Sequence, residues 1–437
     1  VLALTYTFLH REQNLKAKPA VFIPTLYFAS GLPYTLVVLV SVIFYKNLGE
    51  SNDFVGVVTS SFYLAWVAKF LWAPLVDLLG KKRIWIVVAQ LILALTCVGL
   101  ALSLSLASSQ IAVLSIVVFS IMALISATQD VASDGYYLEV LNKDQQSYFV
   151  GVRNAFYKMA VLFGQGGLVM LAGWLAHQSG FGVKGGWSVA FLLCAVIFAL
   201  LSIFHFFALP QQVPKENLND PSDLTEEKSG ISIGEFLTVF RTFFAQKAIV
   251  PIVLYILIFR LGDALMLKMA APFLLDAPKV GGLGISTETV GLIYGGVGVG
   301  FLLLGGIVGG FVVSKFGLKR TLMPTAIFQN VAILLYYFMA TNAPSVLLTS
   351  ICNAIEQFAY GLGTAAYTVF LLRTVNPKYK SGHYAIATAL MAAGVMVPGI
   401  YSGKLQGALG YPNFFLLSFV LSIPGMITIL LLPLEDK

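Results

Sequence analysis

Apolar stretches of about twenty residues, separated by short polar breaks, recur along the whole chain. They predict membrane-spanning helices, because roughly 20 apolar residues in a helix cross roughly 30 Å of hydrocarbon. Twelve can be counted, at about 20–45, 54–76, 84–105, 110–139, 147–176, 187–209, 248–275, 288–313, 321–341, 345–372, 382–403 and 411–433. The breaks beside Ser103 and Thr341 are short. The first stretch does not read as a cleaved signal peptide: it is long, lacks a small-x-small cleavage site and is followed by eleven more. Composition agrees. The chain is 58% hydrophobic and 11% charged, with mean hydropathy +0.86, whereas soluble domains carry about 25% charged residues. Such a chain cannot dress a soluble surface, and an all-α polytopic membrane protein is expected.

The net charge of +7 would suggest a polyanionic partner, but its distribution argues otherwise. Nearly all Lys and Arg outside the spans fall on alternate loops. One side holds Arg11, Lys16, Lys18, Lys81, Lys82, Arg83, Lys143, Lys215, Lys228, Arg241, Lys247, Lys315, Lys319, Arg320, Arg373, Lys378, Lys380 and Lys437. The other side holds Lys46, Lys184, Lys279 and Lys404. Eighteen against four places both termini and the central loop in the cytoplasm by the positive-inside rule. The charge records topology, and no nucleic-acid partner is expected. Cys97, Cys194 and Cys352 each sit inside an apolar span and read as packing residues. His10, His177, His205 and His383 are scattered without ligand spacing, so no metal or other cofactor is expected.

Between Pro210 and Lys247 the apolar pattern breaks. Lys215–Gly230 has the Asn, Asp, Glu, Ser and Pro content of a solvated connector, and Ile231–Phe244 has the helical periodicity of a short interfacial helix. This divides the chain into a first half, 1–209, a linker, 210–246, and a second half, 247–437, with six spans in each half. The halves look related. Asp77-Leu78-Leu79-Gly80-Lys81-Lys82-Arg83 follows the second span, and Ser314-Lys315-Phe316-Gly317-Leu318-Lys319-Arg320 follows the eighth. Gly80 and Gly317 are 237 residues apart, and Gly31 and Gly262 are 231 apart. A near-constant offset is what parallel repeats about an axis along the membrane normal produce. A short cytoplasmic loop is often basic in any membrane protein, so neither loop alone would mean much. Paired at this offset, they resemble the loop signature of the major facilitator superfamily, with Ser314 replacing the acid in the second copy. That resemblance implies twelve transmembrane helices in two pseudo-symmetric six-helix halves, with Asp77, Gly80, Lys81, Lys82, Gly317, Lys319 and Arg320 as gating-loop residues.

Charges inside the spans need a reason, since a carboxylate at bilayer depth costs roughly 3 kcal/mol or more and normally faces a protein interior or a water-filled path. The fourth span ends in Gln129-Asp130-Val131-Ala132-Ser133-Asp134-Gly135-Tyr136-Tyr137-Leu138-Glu139. Asp130 and Asp134, four apart, share a helix face, while Glu139 reads as a residue snorkelling to the interface. The other spans carry Lys69, Arg153, Lys158, Arg260, Asp263, Lys268 and Glu356. Arg260 and Asp263 are three apart and suit an ion pair within one helix. Lys158 lies about 140° around the helix from Arg153, so the two need not line one surface. The bland alternative is structural, with Asp130–Arg153 or Asp134–Lys158 pairs locking neighbouring helices. The functional one makes Asp130, Asp134 and Asp263 proton carriers as the helices rock.

Gly295-Gly296-Val297-Gly298-Val299-Gly300 looks like a dinucleotide loop, but it lies inside an apolar span. With Gly305, Gly306, Gly309 and Gly310 it reads as small-residue helix packing. The aromatics read mainly as lipid-facing or belt residues. Tyr136, Tyr137, Tyr157, Tyr360 and Tyr367, near the polar positions, are placed to stack on a sugar or to bond a ligand.

Several separate blocks resemble the AmpG-type muropeptide permeases, within the peptide–acetyl-CoA–drug transporter group. They are Phe28-Ala29-Ser30-Gly31-Leu32-Pro33, Lys69-Phe70-Leu71-Trp72-Ala73-Pro74-Leu75-Val76-Asp77, Thr128-Gln129-Asp130 with Asp134, Leu261-Gly262-Asp263-Ala264, and Gly361-Leu362-Gly363-Thr364-Ala365-Ala366-Tyr367. The last continues through Asn376 and Tyr384-Ala385 to Ala389-Leu390. The resemblance spans all twelve helices. It implies a monomeric importer in the bacterial inner membrane, moving anhydro-muropeptides into the cytoplasm on the proton gradient, and not an enzyme. Asp130, Asp134 and Asp263 match the family's acidic positions, Lys158 after Tyr157 a basic one, and Glu356 a counterpart before a glycine-rich stretch. Arg260 stands where the resemblance leads one to expect Lys, and Arg153 and the Tyr136-Tyr137 pair look particular to this chain. On this reading Arg153, Lys158 and Arg260 hold substrate carboxylates, with Gln129, Tyr137, Tyr157, Glu356, Gln357 and Tyr360 beside them. The alternatives are a transporter of a different solute (a siderophore, an acyl-CoA-like anion or an exported drug) and, from another class, a membrane-embedded enzyme or sensor. Against the last, the chain shows no nucleophile–base set, metal spacing or soluble domain.

Overall fold

The computed structural model describes residues 19–78, 81–210, 233–374 and 380–434. The chain is helical throughout these segments. Six long helices come first: α1 (Pro19–Asn47), α2 (Asn52–Leu71), α3 (Lys82–Ser103), α4 (Gln110–Val140), α5 (Asp144–Ala176) and α6 (Gly182–Ala208). The short helix α7 (Ile233–Phe244) follows, then α8 (Ile249–Leu275), α9 (Thr287–Phe316), α10 (Leu318–Asn342) and α11 (Val346–Arg373). The last apolar stretch is one helical trace, Lys380–Ile429, bent at Gly410, whose φ of 70° no helix contains. It is two helices, α12 (380–409) and α13 (411–429), and Gly410 supplies the left-handed joint that other residues resist. With α7 set aside, twelve long helices are present among the described residues.

Caps and breaks follow from the sequence. Ser51, Ser286 and Ser345 cap the starts of α2, α9 and α11, each accepting a hydrogen bond from the backbone N–H three residues on. Several spans depart from simple helix in ways hydropathy does not reveal, including α5 and α9 with π segments at Leu162–Leu168 and Gly291–Gly298. In α1, Pro33 precedes a wide π segment, Leu36–Val40, the kind of local loosening that a missing N–H provokes. In α8, the helical run stops at Ile258 and resumes at Leu261, leaving Arg260 at the break with φ −86° and ψ 0°.

The helices gather into two compact units that do not follow chain order. The first takes the described residues up to Thr35 with 71–160 and 188–210. Its apolar core includes Phe22, Leu26, Ile86, Ala132, Tyr136 and Phe149. A buried polar tie runs through it: the His205 ring has one nitrogen 2.9 Å from Gln90 Oε1 and the other 3.0 Å from Thr25 Oγ1. This joins α6, α3 and α1.

The second unit takes 36–70, 161–187 and the described residues from 233 on. Part of α1, nearly all of α2 and part of α5 therefore pack with helices from the other end of the chain. Small residues permit it. A Cβ on Gly403 of α12 would lie 1.9 Å from the Asn52 carbonyl at the start of α2. One on Gly295 of α9 would lie 2.1 Å from the Gln165 carbonyl in α5, so this glycine is packing, as its apolar setting implies. Gly305 and Gly309 pack against α11 in the same way, whereas Gly300 and Gly310 face open space. The α7 helix is docked rather than free: Phe243 is fully buried and Thr242 bonds His383 at 3.0 Å.

The aromatics correct one expectation. Tyr45, Tyr255, Tyr336 and Tyr411 are fully buried rather than lipid-facing, and Tyr367, expected near the polar positions, is fully buried as well. Their rings supply core area, and hydroxyls such as those of Tyr336 and Tyr367 find acceptors in Asn353 and the Ile256 carbonyl.

Candidate functional site

In the first unit, α4 and α5 carry the predicted charges toward α1. Asp134 Oδ1 lies 3.2 Å from Arg153 Nη2 and accepts a hydrogen bond from the Tyr27 hydroxyl at 2.9 Å. The Arg153 guanidinium sits over the Tyr27 ring at 4.5 Å and the Tyr137 ring at 5.4 Å, and those two rings meet edge-to-face. A guanidinium between two aromatic faces gains cation–π attraction and keeps N–H groups for a further acceptor. The side chains stay half open, at 28% exposure for Arg153 and 50% for Asp134.

One turn earlier, Asp130 is within electrostatic reach of Tyr157, which packs on Tyr34. Lys158 is half-buried, and no carboxylate among the described residues lies within 4 Å of it. Gln129 is fully buried, with neither end of its amide partnered among the described residues. The Tyr137 hydroxyl is taken by the Gln146 carbonyl, and the Tyr136 hydroxyl by the Pro210 carbonyl at 3.1 Å. Only the ring of Tyr137 is thus offered to Arg153.

The second unit holds a parallel centre. At the break in α8, Arg260 Nε lies 3.1 Å from Asp263 Oδ2, so the i,i+3 pair forms. Arg260 also bonds the Tyr360 hydroxyl and lies over the Tyr360 and Tyr367 rings at 5.1 and 5.9 Å. Gln329 donates to Asp263 Oδ2 at 3.1 Å. Here the pair is sealed, with 7% exposure for Arg260 and 1% for Asp263. Glu356 is buried beside the Asn353–Tyr336 bond, and its Oε2 accepts from Gln357 at 2.8 Å.

The predicted loop residues divide. Gly80 and the side chain of Asp77 lie outside the described residues, as does 211–232 of the linker. Lys81 is exposed, and Lys82 pairs with Glu139 across α3 and α4, its stem lying against Gly135. Glu139 therefore has a cation partner and does not merely snorkel. Gly317 joins α9 to α10 with φ 80°, and Lys319 and Arg320 stand exposed after it.

Three groups escaped the sequence reading. Tyr27 and Gln329 carry no charge to draw attention. The third is a cluster at the end of the second unit where the loops carry few cations. There Asp276 meets Lys46 at 2.7 Å, Asn52 at 3.0 Å and Tyr411 at 2.6 Å, and Asn52 also bonds Gln406 at 2.8 Å. A signal was present: Lys46 is one of only four cations on that side, and Asp276 ends the seventh span. Next to this cluster lies a cavity of about 240 Å³ lined by Lys46, His177, Trp187, Asp276 and Thr287, below the roughly 300–1,000 Å³ of a usual ligand pocket. Among the described residues no group of three or more His, Cys, Asp or Glu side chains is placed to hold a metal.

The chain is similar to known proteins over nearly its whole length. The model of the Major Facilitator Superfamily matches residues 25–276. A putative transporter, AmpG 4 of Rickettsia conorii, is 25% identical over 92% of this chain and 94% of its own. The anhydromuropeptide permease of Escherichia coli K12 is 26% identical over 92% of this chain and 77% of its own. Among solved structures, a bacterial homologue of the human lysosomal transporter Spinster superposes with a TM-score of 0.70 at 17% identity, over 95% of this chain and 97% of that one. A D-xylose–proton symporter gives 0.68 at 16% identity, over 94% and 95%. Twelve helices, charged centres inside the spans and the family match lead to one conclusion: the chain belongs to the major facilitator superfamily, and is a multi-pass membrane transporter of a small solute, not an enzyme.

Proposed function

We propose that this transporter is a proton-coupled importer of anhydro-muropeptides, working by alternating access in a bacterial inner membrane with both termini in the cytoplasm. The observation that carries the reading is the repeated centre of arginine, carboxylate and tyrosine, Arg153–Asp134–Tyr27 in one unit and Arg260–Asp263–Tyr360 in the other. A disaccharide–peptide offers sugar faces and carboxylates together. Aromatic rings beside guanidinium groups complement both. The likeness to the anhydromuropeptide permease supports the same solute, and the excess of cations on one set of loops supports the orientation.

On this reading Arg153, Lys158 and Arg260 bind the solute's carboxylates, with Gln129, Tyr137, Tyr157, Glu356, Gln357 and Tyr360 around them. Asp130, Asp134 and Asp263 carry the proton, each exchanging it as its arginine or water neighbour changes. The loop residues Asp77, Gly80, Lys81, Lys82, Gly317, Lys319 and Arg320 act in gating. The chain works as a monomer.

Purified protein in proteoliposomes tests this with labelled anhydro-muropeptide and an imposed pH gradient. Uptake driven by an acidic exterior, and lost in the Asp130→Asn, Asp134→Asn double variant, is the expected result. Uptake indifferent to the gradient, or surviving both substitutions, removes proton coupling. Displacement of the label by a siderophore or an acyl-CoA at a far lower concentration than by unlabelled muropeptide replaces the solute.

A further inference from the structure

Lys268 is unlike the other buried cations of the second unit. Arg260 has Asp263 and Lys46 has Asp276. Lys268, seven residues before the end of α8, is only 7% exposed, yet among the described residues no carboxylate lies within 4 Å of it. Its Nζ donates to Thr59 Oγ1 at 3.0 Å and stands 5.6 Å from the Tyr63 ring centroid. An ammonium has three donors, so two are left over.

The surroundings explain how this lysine stays covered. Thr59 and Tyr63 belong to α2, and α12 closes from the other side, where a Cβ on Gly399 would meet the Ser60 hydroxyl at 2.3 Å and the Lys268 chain at 3.4 Å. Thr59 is likewise seven residues from its end of α2, so lysine and hydroxyl sit at matching depth, about 10 Å along their helices. Snorkelling accounts for lysines whose ammonium reaches water; this one stops at a hydroxyl inside the packing. A buried cation left without a counter-ion is costly. It is retained at a place where helices from opposite ends of the chain meet, and such a seam must part in a transporter that opens at this end.

We propose that Lys268 is a recognition site for a carboxylate of the solute, masked by α2 in this state and presented when α2 leaves α8 and α12. The inference rests on the reading of the solute as a muropeptide only for the choice of carboxylate; the masking stands on the geometry alone. Thr59 keeps one donor occupied until the solute arrives. The carboxylate then replaces the hydroxyl and meets the two unused donors.

Two measurements decide it. In proteoliposomes, labelled anhydro-muropeptide is compared with the same compound amidated at its peptide carboxylates. Lys268→Gln should raise KM for the free acid at least tenfold, leave KM for the amide within twofold, and lower kcat little; Lys268→Arg should restore most of the loss. A Lys268→Gln variant that loses both compounds equally, or neither, overturns the proposal.

The second measurement needs neither transport nor a known solute. Lys268→Cys, with Cys97, Cys194 and Cys352 replaced by Ser, is treated in membranes with an anionic, impermeant methanethiosulfonate from each face. Labelling from one face supports the masking and release, even if wild type takes up neither muropeptide and the solute reading fails. No labelling from either face, in a protein that still elutes as a folded monomer, means that Lys268 never meets the path and ends the proposal.

Discussion

The two arginine centres use the same chemistry in opposite surroundings. Arg153–Asp134 is half open to solvent, backed by Tyr27 and Tyr137. Arg260–Asp263 is closed, held by Tyr360 and Gln329 at a break in its helix. An exposed pair is screened and contributes little to stability, but its guanidinium is immediately available to an arriving anion. A sealed pair binds nothing until its neighbours move, and breaking it strands a charge in a low-dielectric interior. On the proposed reading, the open centre meets the solute first and the sealed one only after its neighbours have moved.

The sharpest way to break this comparison is to remove each carboxylate. Asp263→Ala should lower stability by about 3–5 kcal/mol, because Arg260 is left buried and unpaired. Asp134→Ala should cost about 1–2 kcal/mol, from a screened pair and the lost acceptor of the buried Tyr27 hydroxyl. Unfolding in detergent micelles compares them, and equal losses would mean the two centres do not differ. Next in size is replacing the sealed pair altogether. Arg260→Met with Asp263→Leu should hold stability at the wild-type level or raise it by about 1–4 kcal/mol, recovering all that Asp263→Ala alone loses, since a well-packed apolar pair can match a buried ion pair. Uptake should nonetheless vanish, which separates fold from function.

Tyr27→Phe, which removes the hydroxyl bonded to Asp134, should cost about 0.5–1.5 kcal/mol and leave the ring beneath Arg153 in place. The smallest effect expected is that of salt. Raising ionic strength to about 1 M, where the Debye length is about 3 Å, should shrink the stability difference between wild type and Asp134→Ala to what the Tyr27 hydrogen bond contributes, while leaving that of Asp263→Ala nearly intact.

The helices and the Arg260–Asp263 pair were legible in the sequence because both are local. Hydropathy reports the spans directly, and two residues three apart on a helix are neighbours by geometry. The break at Arg260 was not legible, since no proline marks it and Gly262, two residues on, reads equally well as helix packing. The Arg153–Asp134–Tyr27 centre was half legible: the charges were expensive enough to notice, but their partner was a tyrosine from α1, more than a hundred positions from Asp134. The assortment of α1, α2 and α5 with the later helices was invisible for the same reason, because nothing in a span's own pattern names the helix it will touch. The burial of Tyr336, Tyr367 and Tyr411 shows the complementary limit. An aromatic with a hydroxyl suits a membrane interface and a polar pocket equally well, and its burial is settled by the helices that pack around it.

Asp276 carries one more consequence, for inheritance. A single carboxylate satisfies Lys46, Asn52 and Tyr411 at once, from α1, α2 and α13, and Asn52 extends the bond to Gln406 of α12. Asp276 cannot drift alone, since its loss strands the Lys46 ammonium and removes the acceptor of the Tyr411 hydroxyl on another helix. Descendants of this chain should keep Asp276 with Lys46 and Tyr411 or exchange them together, so that the three behave in evolution as one character spelled by residues up to 365 positions apart.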